Sequence, residues 1–212
     1  MKLAQFIRSD IELILEEWEA SARKMPSAHG LDREALRDHA RSILGDIAAY
    51  VERDPAECDP TGPDPAMQDR TDTHASHHGA VRLAQGFTVN DAVAEFRALR
   101  TAVLMLWTDR GGCLDAAEEI TRFNQAVDQA VTDSLARYSA LRDYQSRLFD
   151  ALLSSSPDLA FIIDPAGRLI YANRAFAQHL RKDPHDLPGA DFYALTRDGA
   201  PVMSFGVMGG DM

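Results

Sequence analysis

The chain has 212 residues, with 22 Lys and Arg against 33 Asp and Glu, for a formal net charge of −11. Its 45% hydrophobic and 26% charged residues exclude a disordered chain and suit one or two globular domains. The acidic balance argues against general nucleic-acid binding, two cysteines (Cys58, Cys113) exclude a framework of several disulfides, and no apolar run of about 18 residues is present to span a membrane.

The N-terminal stretch is not a signal peptide, because Asp10, Glu12, Glu16 and Glu17 interrupt any apolar run. Residues 3–24 instead predict one amphipathic helix, with Phe6, Ile7, Ile11, Ile14, Leu15 and Trp18 on one face. A second helix is expected from Asp32, as N-cap, to Pro55, carrying Leu36, Ile43, Leu44, Ile47 and Val51. Residues 54–72 hold four prolines and six acids and predict a long, mobile surface loop. A third helix runs from about Thr73 to Gln85 and closes at Gly86. Thr88 and Asp91 form a capping-box pair that opens a fourth helix, which ends at Gly111-Gly112.

The fifth helix starts near Leu114 and meets no breaker before Pro157. Its apolar positions, from Ile120 to Leu152, are spaced mostly by three or four. About 42 residues at 1.5 Å each make a rod of roughly 60 Å. Its first half can join a bundle, and its second half is expected to meet a partner copy. Beyond Pro157 the period changes. LAFIID (159–164) and RLIYAN (168–173) predict two strands around the turn Pro165-Ala166-Gly167, followed by a short helix over 174–181 and a weaker one ending at Thr196.

The stretch SSPDLAFIIDPAGRLIYANRAFAQHL resembles the opening of a PAS domain. The residues that carry the resemblance are Asp164, Gly167, Ala172, Asn173 and Phe176, with Leu187-Pro188-Gly189 similar to the motif that follows. The resemblance implies structural roles for Asp164, in the turn, and Asn173, which ties the second strand to the next helix. About three further strands of a complete PAS domain are missing, so half a domain is expected. HHGAVRLAQGFTVNDAVAEFRALRTAVLMLW resembles the N-terminal helical sensory domain of stressosome RsbR-type co-antagonists, also found on PAS-containing histidine kinases. His78, Arg82, Gly86-Phe87, Glu95, Arg97, Leu99-Arg100 and Trp107 carry it, with Trp18, over about residues 1–140. The resemblance implies a dimerising globin-like or bundle-like module that binds no haem and passes a signal down the long helix. The tail RDGAPVMSFGVMGGDM, Arg197 to Met212, is similar to a glycine-rich stretch of γ-glutamyltransferases without their catalytic Thr, which suggests a fused or truncated reading frame.

His74 and His78 are four residues apart and can share a helix face, as metal ligands do, but no third ligand stands at a recognised spacing. The favoured reading is a polar helix surface with one His packed inward, and neither a metal nor a cofactor is expected. Arg82, Glu95, Arg97 and Arg100 can form an anion site. They can equally hold an interhelical ion pair, Arg82 with Glu95, that sets a packing register. The second reading is preferred. No Gly-x-Ser-x-Gly, no phosphate loop and no kinase domain is present, so no catalytic activity is expected.

The chain is therefore expected to be mainly α. A helical sensory bundle would occupy 1–135, a signalling-helix linker 136–155, a partial PAS segment 156–198 and an irregular tail 199–212. Its expected role is a cytoplasmic input module of a PAS-containing sensor kinase, homodimeric through the long helix and coupled to a downstream partner. The alternatives are a stressosome-like interaction scaffold and, remotely, a γ-glutamyltransferase fragment.

Overall fold

The computed structural model describes residues 1–25, 33–53, 73–112 and 117–197. The expected acidic loop at 54–72, the N-cap at Asp32 and the tail from 199 lie outside the described residues, as does the tail resemblance beyond Arg197. The protein is mainly α, and the described residues hold one two-stranded sheet, toward the C-terminal end. It divides into two compact units, Met1–Asp143 and the residues from Tyr144 onward. Among the described residues no helix is long and apolar enough to cross a membrane.

The first unit comprises α1 (Leu3–Ser9), α2 (Ile11–Ala22), α3 (Arg33–Glu52), α4 (His74–Ala84), α5 (Val89–Asp109) and the first part of α6 (Ala117–Ser155). The single helix expected over 3–24 is two. Asp10 leaves the helical region at φ −114°, ψ 24°, and its backbone N–H still donates to the Phe6 carbonyl at 2.9 Å. Its carboxylate is drawn aside by Arg110 at 3.0 Å and by the Ser9 hydroxyl at 2.7 Å, local bonding that competes with helix continuation. Leu3, Phe6, Ile7, Ile14, Leu15 and Trp18 are nonetheless all buried, so the apolar periodicity survives the break.

Two helix starts follow their sequence signals. Thr73 caps α4 by accepting from Ser76 N at 3.0 Å. Thr88 caps α5 in a full capping box: its hydroxyl accepts from Asp91 N at 3.2 Å and its own N–H donates to Asp91 Oδ2 at 3.1 Å. Gly86, between the two helices, sits at φ +77°, where only glycine is unstrained. α2 packs on α5, and α3 on α1 and α4. Leu44, Ile47, Phe96, Val103, Trp107, Phe123 and Val127 complete one continuous core.

α6 is 39 residues without interruption. Phe123, Ala126, Val127, Ser134 and Tyr138 are its buried positions, and from Arg142 to Leu152 its side chains are exposed. In the second unit, β1 (Phe161–Ile163) and β2 (Leu169–Ala172) pair antiparallel, Phe161 opposite Ala172, with an irregularity after Ile162. α7 (Arg174–Leu180), a 3-10 turn at Pro184–Asp186 and α8 (Phe192–Arg197) follow. Their small core is Leu169, Phe176, Ala177, Leu187 and Phe192.

Candidate functional site

Four buried polar residues of the first unit, His78, Arg82, Glu95 and Ser134, converge where α4, α5 and α6 meet. His78 and Arg82 lie one turn apart on α4, and Glu95 projects from α5. His78 Nε2 lies 2.9 Å from Glu95 Oε2, and Arg82 Nε donates to the same oxygen at 2.8 Å. Side-chain exposure is 4% for His78, 1% for Arg82 and 3% for Glu95. The interhelical pair read from the sequence is therefore present, and His78 joins it.

The cluster is anchored on every side. His78 Nδ1 meets Ser134 Oγ of α6 at 3.0 Å, and the imidazole lies edge-on to Phe96. Arg82 Nη1 donates to Gln85 at 2.6 Å, and its guanidinium lies 4.8 Å from the centre of the Phe87 ring. Trp18 Nε1 donates to the Glu95 carbonyl at 3.0 Å. Tyr138, one turn beyond Ser134, donates its hydroxyl to the Phe87 carbonyl at 2.8 Å. α6 is thus hydrogen-bonded both to α4 and to the turn that joins α4 to α5. Gly79 allows this approach, since a Cβ there would lie 2.0 Å from the Ser134 carbonyl oxygen.

Electrostatics fixes the protonation state. Burial penalises the charged carboxylate of Glu95. Hydrogen bonds from His78 and Arg82 outweigh that penalty and hold its carboxyl below the ordinary 4.5. Burial likewise pushes the His78 imidazole below 6.5, against the opposing pull of Glu95. At neutral pH, His78 is accordingly uncharged. Its Nε2–H donates to the carboxylate, and its Nδ1 accepts from the Ser134 hydroxyl.

The other sequence candidates go elsewhere. Arg97 is exposed. Arg100 pairs with Asp128 of α6. Neither joins Glu95, because five residues of helix turn Arg100 well away from it. Trp107 is buried and donates to the Met1 carbonyl at 3.1 Å. His74 pairs with Asp46 at the surface at 2.8 Å, and His77 stacks on His39 with centroids 5.2 Å apart. Among the described residues no group of three His, Cys, Asp or Glu side chains is placed to hold a metal ion. Sequence reasoning missed Ser134 and Gln85, which have no motif. Gly79 one residue after His78 was the available hint of a close helix crossing.

In the second unit, Asp164 Oδ1 accepts from Ala166 N at 2.9 Å and Arg168 N at 2.8 Å, closing the turn. Gly167 takes φ +78° there. Asn173 is 1% exposed and caps α7 by accepting from Phe176 N at 3.0 Å. The same oxygen accepts from Ala160 N, while Nδ2 donates to the carbonyls of Asp158 at 2.8 Å and Leu153, the end of α6, at 2.9 Å. Phe176 is buried beside Phe161. Gly189 lies along β2, its N–H donating to Leu169 O at 2.7 Å.

Comparison with known proteins gives one positive finding: residues 153–205 match the family described as the PAS fold. No curated protein and no solved structure matches the chain. No match bears on the resemblance of residues 1–140 to RsbR-type sensory domains or on that of the tail. The segment around Asp164, Gly167, Asn173 and Phe176 therefore carries a PAS-fold match, which points generally to a signalling sensory module.

Proposed function

We propose that this chain is an input module of signal transduction, in which a change in the helical bundle reaches the PAS segment through α6. One observation carries the reading. α6 is unbroken from the buried cluster, where Ser134 and Tyr138 bind the α4–α5 hairpin, to Leu153, whose carbonyl holds Asn173. A shift of the hairpin has a continuous mechanical route to the residue that organises the strands and α7. The mechanism is a two-state packing change, biased by whatever binds one state better.

In this reading the chain transmits and does not catalyse. It works in the cytoplasm as the sensory part of a PAS-containing, sensor-histidine-kinase-like protein, with an RsbR-type helical domain at its head and a downstream signalling partner. It is a homodimer through α6, whose Tyr144, Leu148 and Leu152 are 58%, 47% and 63% exposed at successive turns. The same exposed face supports a second reading, a stressosome-like scaffold that binds protein partners and no small molecule. A ligand that raises the melting temperature favours the sensor.

The test is hydrogen exchange on the full chain, comparing the natural protein with Glu95→Gln. The reading expects altered protection in amides 144–155 and 160–176 as well as around the substitution. Changes confined to α4, α5 and the first part of α6 overturn it. Sedimentation that shows only monomer at high concentration overturns the dimer.

A further inference from the structure

The Arg82–Glu95 pair is only half made. At the surface of the same unit, Arg8 grips Glu52 with both arms, Nε at 3.2 Å from Oε1 and Nη2 at 2.9 Å from Oε2. Inside, Arg82 Nε and His78 Nε2 both bind Glu95 Oε2, and Glu95 Oε1 and Arg82 Nη2 are left buried without hydrogen-bond partners. The Phe87 ring face lies under the Arg82 guanidinium and compensates it in part. Nothing described compensates Oε1, and an unsatisfied buried carboxylate oxygen is costly.

Glu95 also lines a cavity of about 10 Å³, whose other walls are Trp18, Ala40, Ile43, His78, Phe96 and Leu99. All seven residues are buried. Both His78 ring nitrogens are engaged, and Trp18 Nε1 already donates to the Glu95 carbonyl. Oε1 is the acceptor left over.

We propose that this cavity is a binding site for one water-sized, neutral hydrogen-bond donor, and that its resident is a water molecule donating to Glu95 Oε1. The size is that of a single water. The chemistry requires a donor, because an ionised carboxylate only accepts. The charge balance requires a neutral one: Arg82 already offsets Glu95, and a small cation such as ammonium would leave an uncompensated buried charge. Buried waters usually make about three hydrogen bonds. This one has a single charge-assisted bond in a cavity whose other walls are largely apolar, so it is held less tightly than a fully bonded one. The site stands independently of the signalling reading.

The test uses the full chain and water as the probe. Water–protein NOE spectra are expected to show a bound water near ring protons of Trp18 or Phe96. Ala40→Val adds two methyl groups to the cavity wall, more than enough to displace one water. It should abolish that cross-peak and lower the melting temperature by about 4 °C, as Oε1 loses its donor. No cross-peak in the natural protein overturns the proposal, as does an Ala40→Val variant that keeps the cross-peak or melts higher, the behaviour of a filled dry void. If Ala40→Val does not fold, the cross-peak in the natural protein decides alone. A crystal structure in which Arg82 Nη2 has closed onto Oε1, as Arg8 does on Glu52, also overturns it.

Discussion

The two units hold their shape by different means. The bundle has a continuous aromatic and aliphatic core, and into it are set buried charges whose partners come from three helices. The C-terminal unit has a five-residue apolar cluster and leans on hydrogen bonds: one asparagine satisfies four backbone groups, and one aspartate closes the turn. It also leaves Ile162, Ile170 and Tyr193 at 42%, 58% and 64% exposure. A large core tolerates the loss of a surface contact and punishes a wrong buried group. A small one depends on each anchoring bond.

The sharpest way to break this contrast is to separate the units. A fragment of residues 1–143 should melt cooperatively, whereas residues 156–212, cut off from the Leu153 carbonyl, should show no cooperative transition by circular dichroism. A dispersed NMR spectrum from the shorter fragment would abolish the contrast. Within the bundle, Glu95→Ala should cost about 3–5 kcal/mol in urea unfolding, since it strands Arg82 and His78. The pair Arg82→Met with Glu95→Leu should recover most of that loss, because it removes both charges together. Gly79→Ala should cost about 3 kcal/mol by driving a methyl into the Ser134 carbonyl.

Asn173→Ala should cost about 2 kcal/mol and act locally. Hydrogen exchange should accelerate most in residues 158–180, less at the end of α6, where the Leu153 carbonyl loses its donor, and least in the bundle. Acid offers a finer division. Folded His78 lies below its ordinary 6.5, so the unfolded chain takes up that proton first. Bundle stability is full above about pH 6.5 and falls as the pH drops from there toward the folded value. Glu95, held below 4.5, adds a second loss beneath about pH 4.5. The slope is at most about 1.4 kcal/mol per pH unit for each group, and His78→Gln should remove the upper part of it. Arg97→Ala, at the exposed surface, should change stability by less than about 0.5 kcal/mol.

Sequence patterns revealed what is local. The capping box at Thr88, the helix start near Thr73, the turn at Asp164 and Gly167, and the long run of α6 all follow from residue chemistry within a few positions. The Arg82–Glu95 pair was also legible, because a buried acid on one helix needs a cation on its neighbour. The break at Asp10 was not, since the apolar face continues across it and the competing partner, Arg110, is a hundred residues away. Ser134 was hidden for the same reason: it earns its place only through a helix crossing that no spacing on α6 announces. Arg97 and Arg100 share a motif with Glu95, but their offsets of two and five residues already put them off its helical face, and they lie apart from it.

The close contact at Gly79 also limits how α6 can move. Ser134 fills a slot with room for a small side chain beside a near-touching backbone. A slide of one helical turn, about 5.4 Å, would put Tyr138 there, a phenol too large for the slot, or Ala130, which has nothing to offer His78. A slide toward Tyr138 is thereby blocked by size, and one toward Ala130 forfeits the His78 hydrogen bond. The least costly movement left to α6 against α4 is a rotation or tilt of less than one turn.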